Sequence, residues 1–148
     1  MNSAPAKIQN PKQNNITGKH KKLTLYYAHP ILTYNTTQET QSIELLKERF
    51  HSYVVVNPKD YQFSGMLDYL QLEANCYIFV YHNDLNGRIT KGVALERLFA
   101  FIIGKPIYRI DSEIKKENNH MISYSDDLLS DHDYAMVYKM CDTLEGLP

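Results

Sequence analysis

The 148-residue sequence predicts a doubly wound α/β domain, a parallel sheet of four to five strands in three layers. Three observations carry this. LTLYYA (23–28), SYVVV (52–56), CYIFVY (76–81) and PIYRI (106–110) are short runs that are almost wholly apolar, as strands buried on both faces are. Segments with apolar residues at helical spacing lie between them, so strand and helix alternate as a parallel sheet requires. The length suits one such domain with a real core and leaves no room for a second of ordinary size.

Residues 1–22 are a basic, Asn/Gln/Pro-rich leader that predicts a disordered tail, and the domain proper runs over 23–148. The first strand stops at His29-Pro30, because proline cannot donate to a central ladder. The polar stretch ILTYNTTQET is a loop, and a helix rises from it, capped by Thr37 or Thr40 and presenting Ile43, Leu45, Leu46 and Phe50. The second strand ends at Asn57-Pro58. FSGMLDYLQLEA predicts a helix with Phe63, Met66, Leu67 and Leu70 turned inward. After the third strand comes a long loop, HNDLNGRITKG, then a helix over 92–103 with Gly104 as its C-terminal cap before the fourth strand. From Asp111 to Ser130 the polar pattern predicts no element. A last helix begins near Asp131, capped by Ser130 or Asp131, with Tyr134, Val137, Tyr138, Cys141 and Leu144 on one face.

Sixteen basic and seventeen acidic residues nearly cancel, but their placement is uneven. The leader holds Lys7, Lys12, Lys19, Lys21 and Lys22 and no acid, so the body keeps eleven bases against seventeen acids, a formal charge of −6. An acidic body argues against a nucleic-acid groove. The tail is either a solvated leader or a contact for an anionic partner. Cys76 and Cys141 have no metal-knuckle or disulfide spacing and read as buried thiols in a reducing compartment. No run approaches the roughly 20 apolar residues of a membrane span, and the leader has no signal-peptide core, so a cytoplasmic protein away from membranes is expected.

In doubly wound sheets ligands bind beyond the carboxyl ends of the strands, where the strand order reverses. Those ends are His29-Pro30-Ile31, Asn57-Pro58-Lys59 and His82-Asn83-Asp84, and the pocket is expected there. Glu96 sits among Val93, Leu95 and Leu98 near the start of the following helix, on the same side. One reading is a partly buried carboxylate kept ionised by the helix terminus, able to act as a nucleophile or to bind hydroxyls. The other is an exposed acid complementing the helix end beside Arg97 or Arg88. Tyr26 and Tyr27 should point to opposite faces, and a buried tyrosine needs a hydroxyl partner, for which a carboxylate on the next helix is a candidate. His29 and His82 either share one pocket or are satisfied loop residues. Asp126, Asp127, Asp131 and Asp133 with His132 read as a solvated helix start, and no metal site is expected. Neither a phosphate-binding P-loop nor the dinucleotide fingerprint occurs, and no cofactor is expected.

Two stretches together carry a resemblance. LYYAHPI (25–31) resembles the "hYLAGP" opening of the nucleoside 2-deoxyribosyltransferase family and of relatives that hydrolyse the N-glycosidic bond of nucleoside monophosphates, and GVALERLFAFIIGKPIYRI (92–110) resembles that family's "GxxxELGxAxAxGKPV" segment. The similarity covers about residues 23–110 and implies a flavodoxin-like sheet. It implies Glu96 as the carboxylate that attacks the anomeric carbon and Tyr26 as the phenol that orients it. It further implies Ala28, His29 and Pro30 as the turn bordering base and sugar, and Gly92 as the start of the catalytic helix, whose amides can hold a 5′-phosphate. Its members use no metal or cofactor and commonly complete their sites as homodimers or higher homo-oligomers. Leu98 and His29 replace smaller residues of the family pattern, which implies a narrower pocket. Thr90 and Lys91 stand where relatives carry an acid, and another frequent aspartate falls near Asn75; Asn83 and Asp84 are the nearest substitutes. The function implied is cleavage or transfer at a nucleoside or nucleotide N-glycosidic bond, set against a non-catalytic nucleotide-binding module on the same fold.

Overall fold

The central strand of the sheet, Ile78–Tyr81, is buried at every residue, as a strand covered on both faces is. The computed structural model describes residues 23–118 and 120–145; the predicted tail, 1–22, lies outside the described residues. The elements are β1 (Leu23–Ala28), α1 (Thr37–Arg49), β2 (Tyr53–Val56), α2 (Met66–Ala74), β3 (Ile78–Tyr81), α3 (Lys91–Ile102), β4 (Ile107–Ile110), β5 (Ile114–Lys116) and α4 (Asp131–Glu145). Short 3₁₀ turns at Ile31–Thr33 and Pro58–Asp60 follow β1 and β2. The sheet order is β2-β1-β3-β4-β5, parallel except for β5, which runs antiparallel to β4. Tyr26 lies opposite Val56 on one side and Phe79 on the other.

The chain moves outward from β1 to β2 and then crosses back to β3, so the strand order reverses beside β1 and leaves a crevice at its carboxyl end. The pleat sorts the core. Leu25 and Tyr27 share a cluster with Leu46 of α1 and with Phe50 at its C-terminal cap, while Tyr26 and Ala28 share one with Leu72, Cys76, Val93 and Ala100. Tyr26 and Tyr27 therefore face opposite ways, as predicted. Residues 93–100 of α3 are all buried, because a third cluster joins Ala94, Leu95, Leu98 and Phe99 to Leu70 of α2 and to Val137 and Met140 of α4. At about 1.5–3 kcal/mol for each large apolar side chain taken from water, this packing fixes α3 firmly. Its end is set by Gly104, whose φ of +79° suits glycine in the expected cap.

Four local expectations differ. The α1 cap is Thr36, one residue before the predicted Thr37, because Thr36 is the last extended residue and its Oγ1 accepts from the Glu39 amide. Leu67 is exposed, since α2 begins only at Met66 and turns Leu70, Leu72 and Glu73 inward. Tyr138 is also exposed, and Val137, Met140 and Cys141 carry the buried face of α4. β5 falls in the stretch where no element was predicted: it is a three-residue edge strand with two exposed lysines, which leaves no apolar pattern to read. Ser130 caps α4 reciprocally with Asp133, each backbone amide donating to the other's side-chain oxygen. Both cysteines are buried and neither forms a disulfide. Among the described residues no helix is long and apolar enough to cross a membrane.

Candidate active site

A cavity of about 380 Å³ opens at the carboxyl ends of β1, β2 and β3. Each element delivers a wall. β1 runs into His29 and Pro30 and the turn carrying Ile31, Leu32 and Tyr34; β2 supplies Pro58; α2 supplies Met66 and Tyr69. Asp84 comes from the loop after β3, and α3 contributes Thr90 to Val93 and Glu96.

Glu96 is 7% exposed, and what remains open faces this cavity. The fully buried hydroxyl of Tyr26 donates a short hydrogen bond to its Oε2. The position differs from the sequence expectation in one respect. Glu96 is in the second turn of α3, which begins at Lys91, and the helix-end field fades beyond the first turn. The helix terminus therefore does not hold it ionised: burial raises its carboxyl to about 7, against the opposing pull of the Tyr26 hydrogen bond. Burial, and then the neighbouring Glu96, raise the Tyr26 phenol well above its ordinary value, so it remains a donor.

His29 is nearly buried on the opposite wall, its ring stacked on Tyr27 at 3.8 Å. Its Nε2 lies 2.7 Å from Glu39 Oε2 and its Nδ1 3.0 Å from the Tyr27 carbonyl. Burial lowers its pKa against the pull of Glu39 and that carbonyl. Both ring nitrogens face acceptors, so the protonated ring satisfies both and the neutral ring only one. Burial alone would raise Glu39, but hydrogen bonds from His29, the Asn35 amide, Lys59 and Asn57 outweigh it and hold the carboxyl at about 2. His82 stands behind His29 with ring centres 5.5 Å apart. It does not line the cavity. Its Nδ1 is 2.8 Å from the Asn83 carbonyl and so holds the proton, and its Nε2 accepts from the Tyr27 hydroxyl at 2.7 Å.

The remaining predicted residues divide. Pro30, Asp84 and Gly92 line the cavity; Ala28 and Asn83 do not. Ala28 is wholly buried in the core below, and Asn83 braces its own loop through Gly87. Asp84 Oδ1 accepts from the Asn86 and Arg88 amides, so one of its oxygens serves the loop. Leu98 does not narrow the pocket, since it points into the contact with α2 and α4. Thr90 makes no side-chain bond to the first amides of α3, and the residues carrying those amides line the cavity.

Four residues escaped the sequence reading. Tyr34 and Tyr69 form aromatic walls, Glu39 anchors His29, and Glu73 lies fully buried behind the site. Neither carboxyl oxygen of Glu73 has a hydrogen-bond partner among the described residues. Burial, then the neighbouring Glu96, pushes its pKa well up, with Lys105 opposing. Glu39 carried a usable signal, an acid three residues after a capping threonine. The two tyrosines carried none in a chain with twelve. Among the described residues no group of three His, Cys, Asp or Glu side chains is placed to hold a metal ion. No protein-family model, curated protein or solved structure matches this chain.

Proposed function

We propose that this protein breaks the N-glycosidic bond of a nucleoside or nucleoside monophosphate and passes the sugar, by way of a glycosyl bond to Glu96, to water or to a second base. The observation that carries the reading is the Tyr26–Glu96 pair at the floor of a cavity sized for a small molecule. A carboxylate held by one phenol and open on one side is suited to attack an anomeric carbon as positive charge develops there, and its release by a second nucleophile completes a double displacement with retention. Tyr34 and Tyr69 offer flat faces for a base. The open amides at the start of α3 are suited to a phosphate, as the likeness of residues 92–110 to the deoxyribosyltransferase segment implies. The same reading takes the fold as flavodoxin-like and doubly wound in three layers, and the protein as a cytoplasmic homo-oligomer.

The test is incubation with a panel of nucleosides, nucleoside monophosphates and deoxy analogues, followed by chromatography for free base. Release that Glu96→Ala abolishes supports the enzyme. A second reading, a non-catalytic nucleotide-binding module, is favoured by one observation: Thr90 and Lys91 replace the acid of the family pattern, while burial leaves Glu96 readily protonated near neutral pH. It predicts thermal stabilisation by a nucleotide with no base released from any substrate.

A further inference from the structure

Cleavage of the kind proposed above leaves a second group to be found, one that meets the negative charge gathering on the departing base. The cavity narrows the choice. His29 has both ring nitrogens committed, to Glu39 and to the Tyr27 carbonyl. Asp84 is an acceptor whose Oδ1 already serves two backbone amides, and Lys91 is paired with Asp133 at 3.2 Å. Three hydroxyls on the wall remain, the aliphatic one of Thr90 and the more acidic phenols of Tyr34 and Tyr69, and a phenol is the stronger donor to a departing anion. Tyr34 is the better held. It follows the 3₁₀ turn at Pro30, its amide bonds the Ile31 carbonyl, and its ring leans on that of His29 at 4.8 Å. It lines the same cavity as Glu96 and Tyr69.

From this arrangement we infer that Tyr34 is a catalytic residue, the hydrogen-bond donor to the leaving base in the cavity it shares with Glu96. The inference rests on the glycosidase reading and adds a residue to it. As Glu96 bonds to C1′ the C1′–N bond breaks and its electron pair moves onto the base nitrogen, where the Tyr34 O–H donates. Burial and the nearby Glu96 keep the phenol further from ionisation than an ordinary tyrosine, so it gives a hydrogen bond and retains its proton. The base takes its proton from water, and the water that frees the sugar from Glu96 in the second step returns one, so the sum is substrate plus water to sugar and base.

The experiment compares guanosine 5′-monophosphate with its 7-methyl derivative, whose base departs neutral and needs no donor; should the panel select another base, its ordinary and its activated, alkylated forms take their place. Tyr34→Phe keeps the ring against His29 and removes a hydroxyl with no hydrogen-bond partner among the described residues, so it should fold as the parent does, which thermal melting checks. Expected is a loss of kcat of about 100-fold on the ordinary nucleotide, the size of one oxyanion donor, with less than a few-fold loss on the activated one. Equal losses on both, or no loss on the ordinary one, overturn the assignment of Tyr34 while leaving the glycosidase reading standing. A parent protein that releases no base from either substrate overturns both.

Discussion

The Tyr26 hydroxyl reaches Glu96 across 70 residues of sequence and ties the centre of the sheet to the helix that carries the candidate nucleophile. Both groups are nearly sealed from water; burial raises the carboxyl and the phenol's hydrogen bond pulls it down. Burial, tempered by this hydrogen bond, sets the pH at which the acid is charged.

Tyr26→Phe removes that bond with little change in volume. The Glu96 carboxyl should then titrate higher than its present value of about 7, because the opposing pull is gone. A hydrogen bond to a charged group is worth about 1.5–3 kcal/mol, so turnover at pH 7 should fall roughly tenfold or more. The acid limb of the pH–rate profile should move to higher pH, and the variant should still fold cooperatively with a melting temperature lowered by several degrees. A variant with the parent's profile would remove Tyr26 from the mechanism.

For the parent, base release should climb between about pH 6 and pH 8 as Glu96 loses its proton, since a nucleophile must be ionised. Stability runs the other way. A carboxyl raised in the folded state contributes most below its unfolded value near 4.3, and the contribution is lost as pH rises through about 7. Melting of the parent and of Glu96→Gln across this window checks the sign: the glutamine variant should lack this loss.

Much of this arrangement was legible in the sequence and some was not, for reasons that lie in particular residues. β1 was read to the residue because LTLYYA is apolar on both faces and ends at His29-Pro30. The Tyr26–Glu96 contact was within reach because strand alternation and the helix start put both at one end of the sheet. β5 was missed because an edge strand of three residues has almost nothing to bury. The protonation of Glu96 was misjudged because it turns on whether the side chain falls in the first or second turn of α3, and boundaries are the least legible part of a helix. Tyr34 and Glu73 were invisible for another reason: their surroundings come from packing between elements distant in sequence.

Glu73 should be a liability to the fold. Its buried carboxyl has no hydrogen-bond partner among the described residues, and charging it there is costly. With its pKa raised in the folded state, the stability it allows is present below about pH 4 and lost as pH rises. Glu73→Met, of similar volume, should raise the melting temperature, by more at pH 8 than at pH 5. An equal gain at both, or a loss at pH 8, would show that Lys105 or another group compensates the charge.

Glu39 is the opposite case, and the contrast is instructive because both carboxyls are almost wholly buried. Four donors converge on Glu39: the His29 ring, the Asn35 amide, the Lys59 ammonium and the Asn57 amide. They draw together β1, α1 and the turn after β2, the three segments that build one side of the cavity. Its pKa is depressed, so its contribution is present above the unfolded value near 4.3 and lost only as pH falls through about 2. Glu39→Gln keeps the shape but sets an amide nitrogen against at least one of these donors, at about 1–3 kcal/mol for the group left unsatisfied. The variant should melt several degrees lower at pH 7, with the gap closing toward pH 2, and ligand affinity should weaken because His29 loses its anchor. Unchanged melting with weakened binding would make Glu39 a binding group alone, and unchanged behaviour in both would dismiss the network as incidental to the site.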